Sequence, residues 1–124
     1  MIGKAKFPQQ RKPLMATPFL PFIPEIAERV VSGDSTATTR WLQHPFYPKP
    51  GQEFEAHCNH VKIEGKYLCT GRRRMKLEAI QRLYYKEIGL DAPFTFPELW
   101  TRIIGSGRYD PELSCYYYEF RRLE

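Results

Sequence analysis

The sequence lacks the long apolar run that a membrane span requires, and its first thirteen residues hold no apolar stretch of the signal-peptide kind. We therefore expect a cytoplasmic protein with no membrane partner. Cysteine is scarce as well. Cys58, Cys69 and Cys115 form an odd set without the dense spacing of a disulfide scaffold, which predicts reduced thiols.

Recognisable catalytic and cofactor motifs are also missing: there is no dinucleotide fingerprint, phosphate-binding loop or nucleophile elbow. We expect no cofactor. His57, Cys58 and His60, with Cys69 across a predicted hairpin, are residue types that zinc prefers. Because no paired Cys-x-x-Cys accompanies them, buried thiols and partly exposed histidines explain them more simply, and we predict no metal site.

The composition nevertheless describes a folded and basic chain. Hydrophobic residues make up 42% of the 124 residues and aromatic residues 15%, which excludes global disorder. The formal charge of +5 favours anionic partners, although many proteins without a nucleic-acid role are equally basic. We expect a flexible basic arm at residues 1–14, either solvated or touching an anionic partner, and one domain at residues 15–124.

The first half of that domain has clear local signals. Apolar residues at helical spacing between Pro24 and Gly33 predict a short helix of about nine residues, with proline in its first turn and glycine ending it. The threonine-rich residues 34–41 predict a turn feeding a strand. The prolines of residues 43–52 predict a loop.

The second half alternates strands and helices without a repeating rhythm. Residues 54–63 and 66–75 predict two strands of a hairpin around Gly65. Helical periodicity predicts one helix over 77–88 and another from about 95 to 104, and alternation predicts a C-terminal strand over 116–120 whose rings, with Trp100, lie mostly in the core. This order predicts an α+β fold.

Residues 22–56 carry a family resemblance. A short helix ending at Gly33 is followed by Thr36, Thr38 and Arg40 in a Thr-x-Thr-x-Arg pattern, and then by a Pro50-Gly51 turn before the next strand. This arrangement resembles the ASCH domain family of the PUA-like superfamily, and the similarity extends over most of residues 17–123. The resemblance implies a small β-barrel flanked by two to three short helices, with a cleft beside the signature that receives RNA or a modified nucleoside.

The chemistry of the three signature residues suits such a cleft. The hydroxyls of Thr36 and Thr38 both donate and accept hydrogen bonds, and the planar guanidinium of Arg40 makes paired contacts to phosphate or guanine. The simpler alternative is that the threonines only favour a strand and that Arg40 is a solvated side chain.

Among relatives of similar layout, the resemblance to acetylcytidine amidohydrolases implies a catalytic threonine, Thr38, and a catalytic glutamate, Glu87. The signature lysine of those enzymes is replaced here by Ser35, which cannot supply an ammonium group. This departure argues against that hydrolytic mechanism unless Lys86 or Lys49 approaches the cleft from elsewhere.

A second basic candidate is Arg72-Arg73-Arg74, the densest cluster of positive charge in the sequence. It suits phosphate contacts, or else it is a solvated strand end. Successive strand residues point to opposite sides, so Arg73 cannot share a face with Arg72 and Arg74. Three hypotheses follow: an RNA-binding module, a hydrolase of a modified nucleoside such as acetylcytidine, and a protein-interaction adaptor with a vestigial cleft.

Overall fold

A computed structural model describes residues 17–104 and 108–124, so the predicted basic arm lies outside the described residues. Those residues form an α+β fold around one six-stranded sheet. The strands are β1 (Phe19–Pro21), β2 (Ala37–Arg40), β3 (Glu53–Cys58), β4 (Val61–Lys62), β5 (Tyr67–Lys76) and β6 (Ser114–Arg122). The helices are α1 (Pro24–Ser32), α2 (Leu77–Leu83), α3 (Tyr85–Ile88) and α4 (Phe96–Ile104), with a 3-10 turn at Pro93–Thr95. Within the described ranges, no helix has the length and apolarity needed to cross a membrane.

The strand order is β1-β3-β5-β6-β2, and β4 folds back on β3. Among the described strands, only β1 and β3 run parallel, with Phe19 opposite Glu55. The longest ladder joins β5 to β6 and is interrupted by one bulge between Cys69 and Gly71. Both edge strands, β1 and β2, therefore come from the N-terminal part of the domain and flank α1.

The predicted barrel is not confirmed, because the ladder is open between β1 and β2 in the described part of the chain. A side chain spans this seam instead. Arg40, at the end of β2, donates a hydrogen bond from Nη2 to the carbonyl oxygen of Pro21 in β1. The two edges of the sheet are thus joined through a guanidinium group and not through a backbone ladder.

Helix α1 confirms the prediction made from local signals. Pro24 occupies its first turn, and Gly33 ends it with φ of 90°, a conformation that glycine adopts without steric cost. The helix buries Ile26, Ala27 and Val30. Its end fixes the start of β2, which follows four residues later.

The predicted strand over 54–63 is wrong in its second half. The strand ends at Cys58, and Asn59 and His60 reverse the chain with φ of 53° and 66°. The following residues, Val61 and Lys62, then pair back with β3. Asparagine tolerates this left-handed region better than most residues, so the turn forms without the glycine that would have indicated it.

The single helix predicted over 77–88 is divided at Tyr84, whose φ of -129° interrupts the helical backbone. The ring of Tyr84 packs against Tyr117 of β6, with ring centroids 5.0 Å apart. The described residues consequently contain four α-helices where two to three were expected.

The core lies between the sheet and the helices. Trp100, Tyr117, Tyr118 and Phe120 are buried, as the sequence predicted for most of the C-terminal rings. Phe120 makes edge-to-face contacts with three other aromatic rings, which are those of Phe22, Phe54 and Tyr67. Fully burying each large apolar side chain stabilises the fold by about 1.5–3 kcal/mol relative to exposure.

Candidate functional site at Arg40

The register of the sheet separates two faces near its open seam. Residues directly opposite each other on paired strands share a face. One row joins Thr38, Tyr118 and Arg72, and the next joins Arg40, Tyr116 and Arg74. We call the side with these two rows the Arg40 face. Thr39, Tyr117 and Arg73 form the row that faces the other way; because Tyr84 packs there, we call it the Tyr84 face.

Arg40 is a buried side chain, with 7% of its surface exposed. Its Nη1 donates to Thr38 Oγ1 at 2.5 Å and to the carbonyl oxygen of Thr39 at 2.6 Å, while Nη2 donates to Pro21 across the seam. The guanidinium also lies over the rings of Phe22 and Tyr47, 5.3 and 5.9 Å from their centroids. All of these partners are neutral.

The positive charge of Arg40 has no carboxylate partner. All fourteen Asp and Glu residues belong to the described residues, and within those ranges none lies within 4.0 Å of its guanidinium. Burial lowers the pKa of Arg40 from its ordinary value, and nearby Tyr47, Tyr118 and Cys115 only partly offset this. A buried charge without a counter-ion costs several kcal/mol, which an anionic ligand would recover.

A cavity of about 250 Å³ opens beside this guanidinium. Its polar wall includes Thr38, Arg40 and Tyr47, and its apolar wall comes from β1 and helices α1, α3 and α4. The volume is slightly smaller than the roughly 300–1,000 Å³ of pockets that enclose a drug-sized molecule. It suits one part of a larger ligand, such as a phosphate group or a single base.

The three consecutive arginines are divided between the faces, which confirms the predicted alternation. Arg72 and Arg74 lie on the Arg40 face, and neither has a carboxylate within 4.0 Å among the described residues. Arg74 lies over the Tyr116 ring, 4.9 Å from its centroid. Arg73 instead pairs with Glu119 at 3.0 Å and packs on Tyr84 and Tyr117.

Thr36 of the signature and Glu87, the predicted catalytic glutamate, do not line the cavity. Thr36 is exposed, and its backbone N–H donates to the carbonyl oxygen of Glu87 at 2.7 Å. The exposed carboxylate of Glu87 lies near Tyr117, where burial first and then the charges of Glu119 and Glu87 raise the pKa of that hydroxyl. Since Tyr117 belongs to the Tyr84 face, Glu87 and Thr38 are not brought together.

Ser35, which occupies the lysine position of the signature, is a buried structural residue. Its single hydroxyl proton is shared between the carbonyl oxygens of Ile88 at 3.0 Å and Ala37 at 3.3 Å. Neither Lys49 nor Lys86 lines the Arg40 cavity. Along residues 17–104 and 108–124, no three His, Cys, Asp or Glu side chains converge in a metal-binding arrangement.

Tyr47 and Phe22 complete the cavity, and the sequence prediction did not include them. Tyr47 comes from the proline-rich loop, and its ring meets Tyr118 edge to face with centroids 6.1 Å apart. Phe22 follows the edge strand β1. The only available signal was that both aromatics flank the signature in sequence, since their approach to Arg40 depends on the folding of the whole sheet.

A larger cavity, of about 480 Å³, lies near the C-terminus. Its lining mixes acidic and basic residues, including Glu53, Lys66 and Arg122. Arg122 is paired with Glu64 at 3.1 Å, and the two lysines of the lining, Lys62 and Lys66, are exposed, so this cavity has no buried, unpaired cation like Arg40 among the described residues. We therefore take the Arg40 cavity as the candidate site.

Neither a protein-family model nor a curated protein sequence matches the chain. Solved structures do. A protein from Enterococcus faecalis V583 with the family model DUF984 superposes with a TM-score of 0.65 at 18% identity, covering 88% of this chain and 82% of that one. ASCH from Zymomonas mobilis gives 0.61 at 13% identity, covering 83% and 65%. The ASCH domain from Lactobacillus crispatus JV V101 gives 0.57 at 10% identity, covering 85% and 79%. Together with the order of strands and helices described above, these similarities show that the chain has an ASCH-like fold.

Proposed function

We propose that this chain is an RNA-binding module that holds a phosphate of single-stranded RNA at Arg40. The carrying observation is the buried guanidinium of Arg40, which faces a cavity and has no carboxylate partner among the described residues. A phosphodiester supplies the missing charge and accepts hydrogen bonds from a guanidinium in a favourable paired geometry. Thr38 fixes the orientation of the Arg40 side chain through the hydrogen bond to Oγ1.

The two other unpaired arginines of the Arg40 face extend this site along the sheet. Arg72 and Arg74 lie two residues apart on β5, a separation of about 7 Å along a strand. They contact further phosphates of the same RNA strand. Arg73 takes no part in this track, because Glu119 already neutralises it on the opposite face. Thr36 is exposed, and its hydroxyl supplies a further hydrogen bond to the RNA in this proposal.

The proposal also includes the predicted PUA-like barrel, with its seam between β1 and β2 closed by a side chain. The side chain of Arg40 substitutes for the missing ladder between β1 and β2, and the RNA phosphate binds where the guanidinium crosses the seam. A ligand at this point contacts both edges of the sheet.

Hydrolysis of a modified nucleoside such as acetylcytidine has weaker support. The Ser35 hydroxyl is engaged by backbone carbonyls, and Glu87 does not line the cavity that contains Thr38. No side-chain ammonium in the described residues lines that cavity either. The site therefore offers anion binding without the acid–base pair that amide hydrolysis requires.

The test is fluorescence anisotropy of labelled single-stranded RNA, duplex RNA and DNA at two salt concentrations. We expect single-stranded RNA to bind most tightly and to weaken as salt rises, because phosphate contacts release counter-ions. Arg40→Ala should weaken binding at least tenfold. Arg72→Ala should lower the slope of log affinity against log salt by about 0.7.

Arg73→Ala is the matched control, because it removes an arginine next to Arg72 in sequence but on the other face. Thermal melting of each variant separates lost binding from lost folding, and Arg40→Lys keeps the charge if Arg40→Ala is unstable. Absence of binding to every polymer, or an equal loss in Arg73→Ala and Arg72→Ala, would contradict the proposal. Deacetylation of acetylcytidine by the wild-type protein would favour the hydrolase instead.

A further inference from the structure

A cluster of five aromatic rings reaches the Arg40 cavity through Tyr47, and its other four rings have no role in the site described so far. It comprises Phe19 of β1, His57 of β3, and His44, Phe46 and Tyr47 of the loop after β2. Phe19 is central, because it stacks on His57 with centroids 4.6 Å apart and on Phe46 with centroids 6.4 Å apart. We call this cluster the aromatic platform.

The loop that carries three of the five platform rings is held in place by hydrogen bonds of its backbone. Phe19 N–H donates to the carbonyl oxygen of Phe46 at 3.0 Å, and Tyr47 N–H donates to that of His44 at 2.9 Å. The N–H of Phe46 donates to Nδ1 of His44 at 3.1 Å, which requires that this nitrogen carry no proton. The rings are therefore presented by an ordered turn.

The platform is open to solvent on one side. Phe46 is 46% exposed, and His44 beside it is exposed as well. Large apolar side chains clustered at a surface loop mark a binding site more often than isolated ones do.

Tyr47 joins the platform to the charged site. It contacts His44 at a centroid distance of 5.1 Å on one side, and Arg40 lies 5.9 Å from its ring centroid on the other. Flat exposed rings beside uncompensated guanidinium groups complement a ligand that is itself part aromatic and part anionic. Single-stranded nucleic acid has that composition, whereas the bases of a duplex are already stacked on one another.

We propose that the aromatic platform stacks an unpaired base of the RNA whose phosphate is held at Arg40, with Phe46 as the principal contact. This rests on the proposed RNA binding and adds a subsite to it. Stacking on a ring is tolerant of base identity, because every base presents a flat face. The platform thus gives preference for single strands over duplexes without sequence specificity.

The test compares two labelled oligomers of equal length and charge: oligouridine and a fully abasic ribose-phosphate chain. We expect wild-type protein to bind oligouridine more tightly than the abasic chain. Phe46→Ala should weaken oligouridine binding about tenfold and leave abasic binding unchanged, while Phe46→Trp should restore it. Phe94→Ala is the matched control, since Phe94 is 78% exposed on the 3-10 turn outside the platform.

The outcomes separate this inference from the proposed function. If the wild-type protein binds both oligomers equally, or if Phe46→Ala weakens both equally, the stacking subsite is wrong while phosphate binding stands. If Phe94→Ala weakens oligouridine as much as Phe46→Ala, the effect does not come from the platform. If neither oligomer binds, both the proposed function and the subsite fail. Melting temperatures of the variants show whether each is folded.

Discussion

Both faces of the sheet region formed by β2, β6 and β5 carry arginines packed on aromatic rings, but the two faces differ in whether a carboxylate neutralises the arginine. On the Tyr84 face, the exposed Arg73 lies over the rings of Tyr84 and Tyr117 and pairs with the carboxylate of Glu119. On the Arg40 face, Arg40 and Arg74 also lie over aromatic rings, yet no carboxylate of the described residues neutralises them. On the Tyr84 face, the arginine that packs on aromatic rings has a carboxylate counter-ion within the protein. On the Arg40 face, the arginines that pack on aromatic rings have none among the described residues. We infer that the Arg40 face binds an anion from outside the protein.

The largest expected effect comes from reversing the arginine charge on one face and then, in a separate variant, on the other. Arg72→Glu with Arg74→Glu should weaken RNA binding at least a hundredfold, because two attractive contacts become repulsive. Arg73→Glu should instead place a carboxylate against Glu119 and lower the free energy of unfolding by about 1–2 kcal/mol, with little effect on affinity.

Anisotropy and urea denaturation measured on both proteins check this prediction. Urea denaturation shows whether the double variant stays folded, which makes any loss of affinity interpretable. An equal loss of RNA affinity for the two charge reversals would remove the distinction between the faces.

Cys115 sharpens the comparison, because the charges of Arg40 and Arg74 both act on its buried thiol. Burial raises its pKa from an ordinary value of 9.0 to about 12, and the two arginines offset this only partly. The folded protein therefore keeps the thiol protonated up to a higher pH than the unfolded chain does. Its contribution to stability is intact below pH 9 and is lost as pH rises towards 12, at up to about 1.4 kcal/mol per pH unit.

Urea denaturation across this alkaline range should show a shallower loss of stability for Cys115→Ala than for wild type. Cys58→Ala is the control, because Cys58 is only partly buried. An unchanged pH slope in Cys115→Ala would show that other groups account for the whole effect. Near neutral pH, Cys115 leaves Arg40 uncompensated.

The smallest expected effect concerns two tyrosine hydroxyls, one on each face. The hydroxyls of Tyr117 and Tyr118 are both buried and have no hydrogen-bond partner within the described residues. Tyr117→Phe should raise the free energy of unfolding by up to about 1 kcal/mol, because it removes a polar group that burial penalises. Tyr118→Phe should gain less, because Arg72 lies close enough to lower the pKa of Tyr118 against the dominant effect of burial. Thermal melts of the two variants test the order, and a larger gain for Tyr118→Phe would contradict it.

Much of the local structure was predictable from the sequence because its signals are local. Pro24 and Gly33 mark both ends of α1, and the alternation of residues 72–74 divides them between two faces. The breaks at Asn59-His60 and Tyr84 were not predictable, since one turn lacks glycine and the other follows from a ring contact with a distant strand.

The candidate site was predictable only in part. Thr38 and Arg40 were identified and do line one cavity, but the lack of a carboxylate near Arg40 depends on where all fourteen acidic residues fold. Tyr47 and the aromatic platform depend on the path of a proline-rich loop that has no periodic pattern. Periodicity indicates which residues share a face of one element, whereas burial without a counter-ion is a property of the assembled fold.

The seam between β1 and β2 has a mechanical consequence. A ladder of backbone hydrogen bonds holds two strands at many points, whereas here a single side chain fastens β1 to the end of β2 through Pro21. The same guanidinium lines the cavity, so this link between the strands and the candidate site share one side chain. Loss of the Arg40 side chain would therefore remove the side-chain hydrogen bond that joins the two edges of the sheet.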